Sequence, residues 1–182
     1  MPESRFKRII SRWRVRAAFL GLCLTLILSH PTHLSFLAGI GLSMIGLGLR
    51  AWASGHLRKE KELARSGPYR FTRNPLYLAN FIIGLSVVLA SRSWWMAGIF
   101  SIYFLLFYPV VLKREAERMR ALFPEEYAKY KHRVPLFLPS FRHLPRTEKP
   151  RFSWGLYKKN REYRALIGAA IFWLIMAARM ML

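Results

Sequence analysis

The residues best suited to chemistry gather in one polar turn and one charged helix end. The turn is SGPYRFTRNPLYLANF, Ser66 to Phe81, which sets Tyr69, Arg70, Arg73, Asn74, Pro75 and Tyr77 directly before a long apolar run. Gly67 followed by Pro68 reads as the stop of a short amphipathic helix over the preceding HLRKEKELARS. Asn74-Pro75 reads as the start of the next helix, with Asn74 at the N-cap and Pro75 at the first helical position. A helix start offers unpaired N–H groups and partial positive charge, and Arg70 and Arg73 add full charges beside it. Such a place suits a carboxylate or a phosphate. The plainer reading is that Asn74-Pro75 only caps a helix while the arginines reach lipid phosphates, and the residues alone leave both open. The second locus is Glu115, among Lys113, Arg114 and Arg118 just past an apolar run. It either pairs along its own helix, an interaction of a few tenths of a kcal/mol, roughly, or faces inward toward a cationic ligand. Phe123-Pro124 starts another helical turn, with Tyr127 and Tyr130 at i and i+3 on it.

The elements that must position these residues are helices in a membrane. The chain has 182 residues, with 30 Lys plus Arg against 9 Asp plus Glu, a net charge of +21. A soluble protein of this charge suggests nucleic acid. Here the charges cluster between apolar runs, which points to membrane flanks instead, and no nucleic-acid module is present. About five runs are long enough to cross or nearly cross a bilayer: Val15 to Ser29, Leu34 to Ala53, Leu76 to Ala90, Trp94 to Leu112, and Ala165 to the C-terminus. Residues 1–16 carry Phe6, Ile9, Ile10 and Trp13 at helical spacing between basic residues, as a helix lying in the interface does. The first run has no small-x-small cleavage site after it and reads as an uncleaved anchor. The N-terminus, the Gly55 to Arg73 loop and the Lys113 to Arg164 segment are basic, whereas the turns at His30 to His33 and Ser91 to Ser93 are nearly uncharged. The positive-inside rule then places the N-terminus in the cytoplasm and the C-terminus on the opposite side. The fold expected is an all-α integral membrane protein of one domain, about five spans, with cytoplasmic connecting helices forming a pocket.

Several features have plain readings. Gly39, Ser43, Gly46 and Gly48 let the second helix pack closely, and GLGLRA there lacks the strand a dinucleotide fingerprint requires. Cys23, the single cysteine, reads as a small buried hydrophobe, and HPTH at His30 to His33 lacks the converging ligands of a metal site. Pro109 is expected to kink the fourth span.

The region Arg50 to Pro139 resembles the isoprenylcysteine carboxyl methyltransferase and phospholipid methyltransferase superfamily of integral membrane enzymes. The shared features are Arg73, Asn74, Pro75 and, after a gap, Gly84; then Glu115, Phe123, Tyr127 and Tyr130, followed by VPLFLP. Asn74 stands where many members have histidine, and Ala116 where a second glutamate is usual. Glu117, one position on, points elsewhere on a helix. The resemblance implies S-adenosyl-L-methionine as cofactor, bound at the cytoplasmic ends of membrane helices. It implies a cofactor site of Gly67, Pro68, Tyr69, Arg73, Asn74, Pro75, Tyr77 and Glu115, with Arg73 and Glu115 as the catalytic pair. It also implies a lipid or lipophilic methyl acceptor, carboxylate, amine or thiol. The cytoplasmic basic residues would in addition attract anionic lipid headgroups. The alternatives are a membrane reductase of sterols or other lipids using NADPH, and a non-catalytic protein that binds anionic lipids. No general base is evident, which favours an acceptor that is already anionic.

Overall fold

The computed structural model describes residues 5–141 and 152–181, with side chains from residue 13 onward. Among the described residues every regular element is helical. They are α1 (Arg5–Leu28), α2 (His33–Ser54), a 3-10 turn (Gly67–Arg70), α3 (Pro75–Ser91), α4 (Trp94–Leu122), α5 (Pro124–Arg133), α6 (Trp154–Lys159) and α7 (Tyr163–Met180).

Three helices, α2, α4 and α7, are long and apolar enough to cross a membrane, and α3 is a shorter apolar helix of 17 residues. Of the five expected spans, these three meet the length and apolarity of a crossing helix among the described residues. α1 is one continuous helix that carries basic residues as far as Arg16, so its apolar half is short. Phe6, Ile9 and Ile10 of the expected interfacial helix lie outside the residues whose side chains are described. Leu37, Met44, Leu105, Leu106, Leu166 and Leu174 are all exposed, as side chains facing lipid would be.

Close approach of α2 and α3 rests on small residues. A Cβ on Gly39 would lie 2.7 Å from the Ala90 Cβ, and one on Gly46 the same distance from Ile83. Ser43 accepts a hydrogen bond of 3.1 Å from the Trp173 indole of α7, and that ring meets Phe36 edge-on. Gly48 has open space around it and takes no part in this face. Gly84 admits the Phe100 ring, which a Cβ would meet at 2.2 Å, and so lets α3 lie against α4. Cys23 is exposed rather than buried, on the outward side of α1.

Thr32 and Ser35 cap α2 reciprocally. Arg92 ends α3 in the left-handed conformation, and Ser91-Arg92-Ser93 turns the chain into α4 as expected. α4 runs unbroken through Pro109 and ten residues beyond Leu112, which carries Glu115 to Met119 on a rigid helical extension. The side chain of Asn160 donates to the carbonyls of Ser54 and Leu57, both at 3.0 Å. That clamp fixes the α6–α7 corner against the end of α2.

Candidate functional site

The turn after Ser54 is organised differently from the sequence expectation. Residues 57–65 form turns rather than an amphipathic helix, because Leu57, Leu63 and Ala64 among six charged neighbours give no apolar stripe to bury. Gly67 opens the 3-10 turn instead of closing a helix. Its φ is +56°, and a Cβ there would lie 2.6 Å from the His56 ring. His56 Nδ1 lies 3.0 Å from the Ser66 hydroxyl, and burial holds the imidazole pKa below its ordinary value.

The Arg73-Asn74-Pro75 turn is stitched to the segment after α5. Arg73 N–H donates to the Pro135 carbonyl at 2.9 Å, and Asn74 Nδ2 to the Leu136 carbonyl at 2.9 Å. The Thr72 hydroxyl donates to the Phe137 carbonyl at 2.8 Å, and Ser140 N–H returns to the Phe71 carbonyl at 2.9 Å. Asn74 thus occupies the N-cap of α3, with Pro75 at the first helical position, but its side chain makes no cap bond. The amide is drawn to a carbonyl of the facing strand-like segment, a partner 62 residues away. Phe137 then inserts its ring against Phe81, Phe104 and Tyr108. VPLFLP is therefore an anchored cover.

Behind the Arg73-Asn74-Pro75 turn lies a cavity of about 500 Å³ between the loop at residues 57–64 and α1 through α5. Six of the eight residues expected in a cofactor site line it: Tyr69, Arg73, Asn74, Pro75, Tyr77 and Glu115. Gly67 and Pro68 do not line it. They shape the turn that presents Tyr69. Ala116 is on the wall and packs beside Leu63, Tyr127 and Tyr130, while Glu117 is exposed and off the wall.

Arg73 is held from one side only. Its Nη1 donates to the Tyr127 hydroxyl at 2.8 Å, and the guanidinium lies 5.6 Å from the centre of that ring. Its Nε is buried with no hydrogen-bond partner among the described residues. Tyr130 donates to the Tyr69 carbonyl at 2.6 Å and fixes the turn from α5. Burial raises the pKa of both Tyr69 and Tyr130, so both phenols stay protonated.

The cavity walls carry five cations, Arg14, Arg50, Lys59, Arg73 and Arg118, and four carboxylates, Glu60, Glu62, Glu115 and Glu162. Arg50 donates to Glu162 at 2.7 Å and also bonds Asn80. Arg118 pairs with Glu60, and Glu62 pairs with Arg58 at 3.5 Å. Glu115 is half-buried, with Arg114 and Lys59 as its nearest charges. No ion pair or hydrogen bond engages its carboxylate among the described residues. It does not pair with Arg118, the helix-surface option, because Arg118 turns to Glu60. Arg73 and Glu115 are thus an anion-seeking and a cation-seeking group with spare capacity on one cavity.

The Arg50–Glu162–Asn80 cluster was not foreseen. Glu162 is 112 residues from Arg50, in a basic stretch that suggests membrane contact, and the Asn160 clamp, with the bond from Ser153 N–H to the Gly55 carbonyl, brings it to the wall. An isolated acid among Lys158, Lys159, Arg161 and Arg164 was the one available signal.

The chain matches the family model described as phospholipid methyltransferase over residues 34–126. It is similar to the nickel-cobalt-cadmium resistance protein NccN of Alcaligenes xylosoxydans xylosoxydans, 36% identical over 104 residues, which are 55% of this chain and 47% of that one. It is also similar to the cobalt-zinc-cadmium resistance protein CzcN of Cupriavidus metallidurans, 34% identical over 105 residues, 56% of this chain and 46% of the relative. The chain spans about half the length of these curated relatives. No solved structure matches it. The matched residues run from α2 to the start of α5 and include the Arg73-Asn74-Pro75 turn and Glu115, and the three apolar helices are those of an integral membrane protein. The chain belongs to the phospholipid methyltransferase family.

Proposed function

We infer that the protein transfers a methyl group from S-adenosyl-L-methionine to a lipophilic acceptor at the membrane face. The observation that carries this reading is the pair of uncommitted opposite charges, Arg73 and Glu115, on one cavity of about 500 Å³. The residues fit the cofactor. Its amino-acid end has a carboxylate and an ammonium, and its sulfur is a sulfonium cation. Arg73, tethered by Tyr127, suits the carboxylate. Glu115 suits a cationic group. Tyr69 and Tyr77 supply aromatic wall. When bound, the cofactor supplies an electrophilic methyl group and a neutral thioether leaving group.

The chain's own contribution is placement and exclusion of water. The Val134 to Ser140 segment anchors the turn that carries Arg73 and Asn74, and α3 and α4 hold Tyr77 and Glu115 on rigid helices. The basic residues around the cavity support a cytoplasmic location for it, with the N-terminus on that side. The relatives' names speak of metal resistance. Among the described residues no three His, Cys, Asp or Glu come together as metal ligands, and we assign the chain a membrane acceptor.

The test is binding of S-adenosylmethionine and S-adenosylhomocysteine to the purified, detergent-solubilised full chain, with NADPH as control. Micromolar binding of the first two supports the reading. Binding of NADPH alone overturns it in favour of a reductase, and binding of none of the three by folded protein overturns it in favour of a non-catalytic role.

A further inference from the structure

A second cavity of about 390 Å³ lies between α1, α3 and α4, at the level of the apolar runs. Its walls are mostly apolar, with Ala18 and Leu22 of α1 facing Ile83 and Val87 of α3 and Ile99 of α4. Three residues belong to both cavities: Arg14, Tyr77 and Asn80. They form the seam where the polar chamber meets the apolar one.

Arg14 is the charged residue on the apolar chamber's wall. Its guanidinium sits 5.8 Å from the centre of the Tyr77 ring on α3, and it shares the chamber's wall with Tyr103 and Tyr108 of α4. Among the described residues no carboxylate is bonded to it. Of the polar cavity's acids, Glu60, Glu62 and Glu162 have arginine partners, and Glu115 makes no ion pair with Arg14. A half-buried cation without an acid, at the mouth of an apolar chamber, asks for an anionic head on an apolar body.

We propose that Arg14 selects amphiphiles with an anionic head, whose chain occupies the α1/α3/α4 chamber and whose head stands at the seam beside the polar cavity. This names the class of acceptor for the methyl-transfer reading and rests on that reading for its role, but the binding itself does not. An amine head would meet Arg14 as a like charge and be rejected, so the residue decides by charge which lipids reach the reacting cavity.

The experiment uses the full chain in detergent and a photoreactive palmitate, with the labelled residues mapped by mass spectrometry. Competitors are palmitate, hexadecyl phosphate, hexadecylamine and hexadecanol. The expected result is labelling on α1, α3 and α4, displaced about tenfold better by either anion than by amine or alcohol, the scale of one charge-assisted hydrogen bond. The better of the two anions identifies the head as carboxylate or phosphate. Arg14→Gln should keep the labelling and erase the preference. Ala18→Trp, which fills the chamber and leaves Arg14 in place, should lose the labelling, with helix content by circular dichroism reporting the fold of both variants. Labelling elsewhere, or an anion preference that survives Arg14→Gln, overturns the proposal. Binding of S-adenosylhomocysteine is measured in parallel. Its absence together with charge-selective labelling counts against the methyl-transfer reading and for the amphiphile site.

Discussion

Arg73 offers the sharpest test of the polar cavity. Its guanidinium has five donors. Nη1 is committed to the Tyr127 hydroxyl, and Nε is buried without a partner among the described residues. A ligand carboxylate would take over that spare capacity. A hydrogen bond to a charged group contributes about 1.5–3 kcal/mol, which is roughly a tenfold to hundredfold change in Kd. Arg73→Ala should therefore weaken S-adenosylhomocysteine binding by that range. Arg73→Lys keeps the charge but loses the planar fork and the hold of Tyr127, so it should fall between the two. Tyr127→Phe keeps the ring under the cation and removes only the tether, and a loss of a few-fold is expected. Because Tyr127 acts through Arg73, the double variant should bind no worse than Arg73→Ala alone. The backbone bond from Arg73 N–H to Pro135 survives every substitution, so the turn itself should hold. Isothermal titration calorimetry in detergent reads the affinities, and methylthioadenosine, which lacks the amino-acid end, should bind all five proteins alike. Equal affinity of wild type and Arg73→Ala for S-adenosylhomocysteine, or an equal loss for methylthioadenosine, would refute the assignment of Arg73 to a carboxylate.

Three further outcomes follow from the geometry. Glu162→Ala leaves Arg50 with Asn80 alone in a site where the two side chains are 21% and 8% exposed; the expected loss is up to about 3 kcal/mol, seen as a lower Tm in detergent, and an unchanged Tm would show that water serves Arg50 equally well. Gly67→Ala forces a left-handed alanine, at a cost of about 1–2 kcal/mol, and drives its Cβ into the His56 ring; adding His56→Ala should recover the steric part and leave the backbone part, both read by thermal unfolding. His56 has a folded pKa below its unfolded value, so the unfolded chain takes up a proton first as pH falls below about 6.5. The stability of the 56–67 turn should be full above that pH and be lost as it falls, with faster proteolysis at pH about 5.5 in wild type and no such pH dependence in His56→Gln.

The sequence shows its chemistry where the signal is local. Arg73, Asn74 and Pro75 are consecutive and stand out locally, but their convergence with Tyr69, Tyr77 and Glu115 on one cavity was implied by the family resemblance and not by the residues alone. What the cavity binds was not legible, since no residue pattern distinguishes a spare donor from a committed one. Gly67 misled because a glycine before a proline marks a break in the chain without saying which side is helical. Asn74 does stand at the N-cap as expected, a local property, whereas its amide's partner, Leu136, is supplied by the fold. The span count is the same kind of limit. Composition marks α1 as apolar in its second half, but whether so short a run crosses a bilayer depends on its neighbours and on the basic residues that precede it.

The cavity's two walls are built from different kinds of bond. On one side, four hydrogen bonds and a clustered phenylalanine join the Phe71 to Asn74 turn to the Pro135 to Ser140 segment, so those pieces move as one body. On the other, the 57–65 loop is joined to α4 and α5 by the exposed ion pairs Arg118–Glu60 and Arg65–Glu126, besides the packing of Leu63 against Tyr127 and Tyr130 and the Asn160 bond to the Leu57 carbonyl. Exposed ion pairs are weak and are screened by salt, whereas the buried hydrogen bonds are not. The ionic wall is thus the door. Exchange of whatever the polar cavity holds should quicken as ionic strength rises, while the helical frame around it stays as it was.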